Sequence, residues 1–85
     1  MKVKVLYFAS VKEKLGKSAE EIDLPAGVAT VAALRNHLRG RGGVYESSFS
    51  EKILLRTAIN QDMAQAGAAI KGGDEIAFFP PVTGG

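Results

Sequence analysis

The last six residues, Pro80, Pro81, Val82, Thr83, Gly84 and Gly85, are the stretch whose types and order fit a chemical task. Two prolines remove backbone donors and fix φ, so a sheet cannot run on through them and the tail leaves the domain extended. At ~3.1 Å per residue such a tail reaches roughly 19 Å, enough to cross a partner's surface and enter a pocket. The prolines also stiffen the exit and lower the entropy lost on docking. Gly84 and Gly85 have no Cβ, so the terminal carboxylate can pass a narrow channel and approach a nucleotide phosphate where any side chain would clash. The reactive group is then the carboxylate of Gly85. At this glycine content a terminal pair arises by chance in ~1% of sequences, so the pair alone is a pointer rather than proof.

Other candidate chemistry is thin. The chain has no Cys, which removes a thiolate nucleophile, a Cys metal site and a disulfide framework, in keeping with a reducing compartment. His37 stands alone, and neither a Ser, His and acid motif nor a Gly-x-x-x-x-Gly-Lys-Ser loop occurs, so the chain is not expected to be an enzyme by itself or to bind a metal. Glu20, Glu21 and Asp23 fall on a strand whose neighbours point to opposite faces, which argues against a catalytic carboxylate pair. Gly40, Arg41, Gly42 and Gly43 suit a phosphate cradle or an RNA-binding segment, but they read first as a helix stop and a loop. The net charge of +2 is dispersed along the chain, so no nucleic-acid partner is expected. Lys2 and Lys4 interrupt the apolar N-terminus, and no stretch approaches the ~20 apolar residues of a membrane span. The expectation is a cytoplasmic protein with no membrane partner.

The elements that must position the tail follow from periodicity. With 85 residues the chain is one small domain, taken as residues 1–79, followed by the tail 80–85. Met1 to Phe8 alternates as a strand with Val3, Val5 and Tyr7 on the buried face. Ser10, Val11, Lys12 and Glu13 form a capping-box pattern, predicting a short helix closed by Gly16. Glu20 to Leu24 is a second strand, and Thr30 caps a main helix whose Val31, Leu34 and Leu38 face inward with Arg35 and Arg39 on the other side. Residues 40–52 read as a loop with one short helix, anchored by Tyr45 and Phe49. Ile53 to Ile59 is a third strand, the 64–70 segment is ambiguous, Lys71 to Asp74 is a tight turn, and Glu75 to Phe79 is the last strand with Ile76 and Phe78 inward. This order predicts an α+β fold, a mixed sheet of four to five strands packed on one main helix. Inward Ile76 and Phe78 leave Phe79 outward, and the Lys face of the first strand carries Leu6 and Phe8. If those two strands are parallel neighbours, Phe8 and Phe79 meet at the tail's exit, with Met63 nearby, as an apolar docking surface.

The run from Gly73 to Gly85, Gly-Asp-Glu-Ile-Ala-Phe-Phe-Pro-Pro-Val-Thr-Gly-Gly, resembles the ending of the sulfur carriers that form the molybdopterin synthase small-subunit, or MoaD, family. The similarity extends to Val3 through Ala9, Thr30 through Arg35, and Ala58 through Gln61. It implies a β-grasp, ubiquitin-like fold. It also implies that an E1-like adenylating enzyme uses ATP to make an acyl adenylate at Gly85, that a sulfur donor system converts it to a thiocarboxylate, and that this chain itself holds no cofactor. The family's large subunit then takes the charged tail, and the sulfur attacks a precursor pterin to build the molybdopterin dithiolene within a heterotetramer. By the same resemblance Phe8, Met63 and Phe79 fall where the family meets its partners, along with Pro80, Pro81, Val82, Thr83 and Gly84 of the threading tail. The Gly- and Ser-rich stretch from Gly40 to Ser50 departs from the family's more helical pattern. The alternatives are a thiamine-type sulfur carrier, which lacks the Phe-Phe-Pro-Pro stretch, a ubiquitin-like modifier joined to lysines through Gly85, and an adaptor with no chemistry there.

Overall fold

A computed structural model describes residues 1–81; Gly84 and Gly85, where the chemistry is expected, and Val82 and Thr83, expected to bind the partner, lie outside the described residues. Eight elements follow in order: β1 (Lys2–Tyr7), α1 (Ala9–Leu15), β2 (Ala19–Asp23), α2 (Val31–Arg39), α3 (Gly43–Ser48), β3 (Arg56–Ile59), β4 (Asp62–Ala64) and β5 (Glu75–Phe79). The strands form one mixed sheet, as the α+β reading predicts, and their order in it is β2-β1-β5-β3-β4. β1 and β5 are parallel, and every other pair is antiparallel. One face of the sheet packs on α2 through Val31, Leu34 and Leu38, which bury against Val3, Val5, Ile76 and Phe78 in a single core.

An aromatic group fills the end of that core nearest the tail. The Phe49 ring meets Phe78 edge-on at 5.2 Å and Tyr7 at 6.1 Å, and it stacks on Tyr45 at 6.5 Å. Each such pair contributes about 0.5–1.5 kcal/mol beyond its area burial, so α3 and the turn after it are fixed to the sheet without a strand of their own. The loop with one short helix, and the anchoring roles of Tyr45 and Phe49, are therefore found as expected.

Helix α2 begins as its sequence predicts, with the Thr30 hydroxyl accepting from the Ala33 amide at 3.2 Å. Its first two amides, Val31 and Ala32, donate to the carbonyls of Ala68 and Ala66 at 3.0 and 2.9 Å. The 64–70 segment that periodicity left undecided thus caps the main helix, and its first residue, Ala64, is the last of β4.

Three local expectations are corrected. The capping box at Ser10 and Glu13 does not form: the helix starts at Ala9, Phe8 holds the N-cap position without a side-chain cap, and Ser10 is already in the first turn. The reason lies in the sheet, because the Phe8 amide donates to the Phe78 carbonyl at 3.2 Å and carries strand pairing right up to the helix. The chain then turns through Ala9 at φ 51. The third strand starts at Arg56 rather than Ile53. Arg35 explains why, and corrects its own placement on the solvent side: its guanidinium donates to the carbonyls of Phe49, Ser50 and Ile53 at 3.1, 2.6 and 2.7 Å. Those carbonyls hold residues 49–53 in a turn packed on α2.

Candidate functional site: the tail exit and its apolar rim

The geometry at the end of β5 comes from one register. β1 and β5 run parallel with Tyr7 opposite Phe78, so both strands finish at the same end of the sheet. Phe8 and Phe79 each stand one residue further on and share the face turned away from the helices. The last ladder position of β5 is Phe79, opposite Arg56 of β3, and Pro80 has no amide with which to extend it. The chain therefore leaves the sheet between its two central neighbours, not from an edge.

The outward face is divided. Reading across the strands, Ala19, Leu6, Ala77, Ala58 and Met63 form one uncharged row, with Phe8, Phe79 and Arg56 above it at the tail end. Below it Glu21, Lys4 and Glu75 form a charged row, and Asp23 faces Lys2. Phe8 is 47% exposed and Met63 60%, while Phe79, Pro80 and Pro81 are half-buried. The structure thus brings Phe8, Phe79, Pro80 and Pro81 to the exit, with Met63 on the same face across β3. Apolar surface exposed in this way is a candidate place of contact.

The polar groups of the fold lie elsewhere. At the opposite end of β5, the buried Asp74 carboxylate accepts from the Lys71 amide at 2.9 Å and from the Asn60 side-chain amide at 3.0 Å. The Asn60 oxygen in turn accepts from the Glu75 amide at 3.0 Å. These two donors, the Lys71 amide before the Asn60 side chain, hold the Asp74 carboxyl below the ordinary carboxylate range. Glu20, on the inward face of β2, accepts from the hydroxyls of Tyr7 and Tyr45 at 2.8 and 2.9 Å and from Arg41 at 2.9 Å. Burial would raise its carboxyl, but these hydrogen bonds outweigh burial and lower it, and the same burial pushes the Tyr7 phenol up. Both clusters are internal braces. The signal for the Glu20 brace was present in the alternation, which puts that carboxylate on the same face as buried Ile22. Its tyrosine partners come from β1 and α3 and have no sequence signature.

Among the described residues no group of His, Asp or Glu is arranged to hold a metal ion. Among them also, no helix is long and apolar enough to cross a membrane. What the arrangement does is release the chain from the sheet at Pro80 beside an exposed apolar surface.

A family model described as the ThiS family matches residues 5–85. The "Molybdopterin synthase sulfur carrier subunit" of Haemophilus influenzae is 47% identical over 81 residues, covering 95% of this chain and 96% of the relative. Among solved structures, the Haloferax volcanii small archaeal modifier protein 1 superposes with a TM-score of 0.74 at 26% identity, covering 95% of this chain and 98% of that one. The fold is also shared with a chain from a complex of subunits 1 and 2 of the molybdopterin-converting factor of Helicobacter pylori, at a TM-score of 0.66 and 23% identity with both chains fully covered.

Proposed function

The chain belongs to the ThiS family, and from that premise we propose that it is the sulfur carrier subunit of a molybdopterin synthase, with Gly85 as the carrying residue. The observation that carries the reading is where β5 ends: in the middle of the sheet, at Pro80, beside the apolar Phe8 and Phe79. A reactive chain end next to a contact surface suits a substrate arm better than a catalyst. The domain over residues 1–79 is the handle and 80–85 the arm.

In this function the Gly85 carboxylate attacks the α-phosphorus of ATP held by an E1-like adenylating enzyme, and pyrophosphate leaves. A sulfur nucleophile delivered by a donor system adds to the acyl carbon, AMP departs with the C–O electron pair, and a thiocarboxylate remains. The large subunit of the synthase then receives the tail, and the thiocarboxylate sulfur attacks the precursor pterin. A dithiolene needs two sulfurs, so two carriers serve each product, which fits a heterotetramer with one carrier at each end of a large-subunit dimer.

This chain supplies the arm and the grip. Phe8, Met63 and Phe79 bury against the partner, Pro80 and Pro81 limit the entropy lost when the tail docks, and Val82, Thr83, Gly84 and Gly85 pass through the channel. The partners supply nucleotide binding, stabilisation of the developing charge and exclusion of water. The working compartment is the cytoplasm, where ATP is at hand.

Intact mass after incubation with ATP, an adenylating enzyme and a sulfur donor tests the reading. A gain of about 16 Da, oxygen exchanged for sulfur, that is lost when Gly84 and Gly85 are removed is the expected result. No gain with an enzyme shown to charge another carrier rejects it. The likeness to an archaeal modifier protein favours a second use of the same terminus, as an isopeptide donor to lysines; higher-mass conjugates in cell extract would reveal it.

A further inference from the structure

Between the start of α2, the segment 51–57 and β4 lies an open groove of about 490 Å³. Val31 and Leu55 contribute to its lining, Leu54 and Met63 stand at its sides, and Pro81 is part of its wall. We propose that this groove is a second half of the docking surface, occupied by a rim segment of the tail-receiving protein that carries an apolar side chain next to a carboxylate. The inference rests on the carrier reading and adds to it the residues and the partner chemistry outside the sheet face.

Three observations converge on it. Leu54 is 74% exposed, more than any other large apolar side chain among the described residues, and the fold has no use for it. The turn that leads into it, residues 49–53, is held from the α2 side by Arg35, so Leu54 is presented rather than left over. Single exposed leucines are ordinary, but this one lies in the same groove as Met63, itself 60% exposed and part of the uncharged row on the sheet.

The second observation is charge. Arg35 and Arg56 both line the groove. The one acid there, Glu51, is 3.7 Å from Arg39, whereas Arg56 has no ion pair among the described residues. With Arg35 bonded to the turn, the guanidinium of Arg56 is the one that makes a groove with apolar sides select a carboxylate beside an aliphatic or aromatic group.

The third is continuity. Arg56 pairs with Phe79, and Pro81, two residues further on, is already a wall of the groove. Any channel that accepts the chain from Val82 onward has its mouth at Pro81, and the protein around that mouth comes to rest on Leu54 and Met63. The sheet face and the groove are therefore two sides of one collar around the tail.

Titration calorimetry of the large subunit, and separately of the adenylating enzyme, against wild type, Leu54→Asp, Arg56→Glu and Phe79→Ala tests the inference. Leu54→Asp and Arg56→Glu are expected to weaken binding at least about tenfold to one or both proteins, with thermal unfolding as in wild type and Leu54→Met binding normally. Wild-type affinity of both charged variants for both proteins overturns the groove, and if Phe79→Ala still weakens binding in that experiment the carrier reading survives it. Tighter partner binding by Leu54→Asp would mean that the chain's own tail fills the groove. A self-association seen by sedimentation and lost in Leu54→Asp, with partner affinity unchanged, would mean that a second copy does. Either result overturns the proposal, whereas failure of wild type to charge at all is a failure of the carrier reading and not of the groove.

Discussion

The two ends of β5 were built to opposite standards. At its start, Asp74, Asn60, Lys71 and Glu75 satisfy one another through three hydrogen bonds of 2.9 to 3.0 Å, and Asp74 is 4% exposed. At its end, four residues later, the ladder stops at a proline and the neighbours are Phe8, Phe79 and Arg56, whose surface faces outward. The start closes the fold, since it ties the β3–β4 hairpin to the turn before β5. The finish leaves apolar area uncovered, Phe8 above all. On the proposed carrier reading, stability and function are separated along a single strand, and each is expected to be open to disturbance without the other.

The largest effect expected is at the finish. Removing Gly84 and Gly85 should abolish the gain in mass on charging while leaving thermal unfolding as it was, and Gly85→Ala should impair charging in the same direction. A deletion that melted the domain would break the separation. Next, Phe79→Ala should weaken partner binding by about 2 kcal/mol, roughly thirtyfold, with a much smaller effect on unfolding, as calorimetry and a denaturant titration can show.

At the start of the strand the pattern reverses. Asp74→Ala strands the Lys71 amide and the Asn60 side chain, so it should cost about 1–3 kcal/mol of stability in denaturant titration and leave partner affinity unchanged. The same carboxylate sets an acid limb. Asp74 and Glu20 both titrate lower in the folded chain than in the unfolded one, so the stability they give is complete above about pH 5, clear of their unfolded values, and lost as pH falls through their folded values. Melting temperatures measured from pH 6 down to about pH 2 should fall in wild type and fall less steeply in Asp74→Ala. The smallest effect belongs to the hairpin beside the clamp. Asn60 and Gln61 are its two turn residues, both with positive φ at 50 and 73, as a type I′ turn requires. Gln61→Gly should remove the steric penalty and stabilise the fold by about 0.5–1 kcal/mol without touching charging.

How much of this was readable in advance depends on the range of the interaction. The inward set of β1 and β5, the Thr30 cap and the Gly16 stop at φ 72 are local patterns, and the structure repeats them. The Ser10 capping box is just as local, yet it lost to pairing between Phe8 and Phe78, residues seventy positions apart. Arg35 looked like a solvated helix residue because its three acceptors are carbonyls of a later turn, and carbonyls leave no trace in residue types. Leu54 read as one member of a strand, and its exposure follows only from that turn.

By itself, the sequence determined which residues are apolar at which period, that the chain could not extend its sheet past Pro80, and that it ends in two residues without side chains. Those are properties of the covalent chain: the proline ring, the missing Cβ and the alternation of a pleated strand act wherever the segment is placed. Only the tertiary structure decided that β1 and β5 lie side by side and parallel, which puts Phe8 at the mouth of a tail more than seventy residues away, and that β5 leaves the sheet from its centre beside the Leu54 groove. Strand partners are chosen by the packing of the whole core on α2, and no segment carries that choice alone.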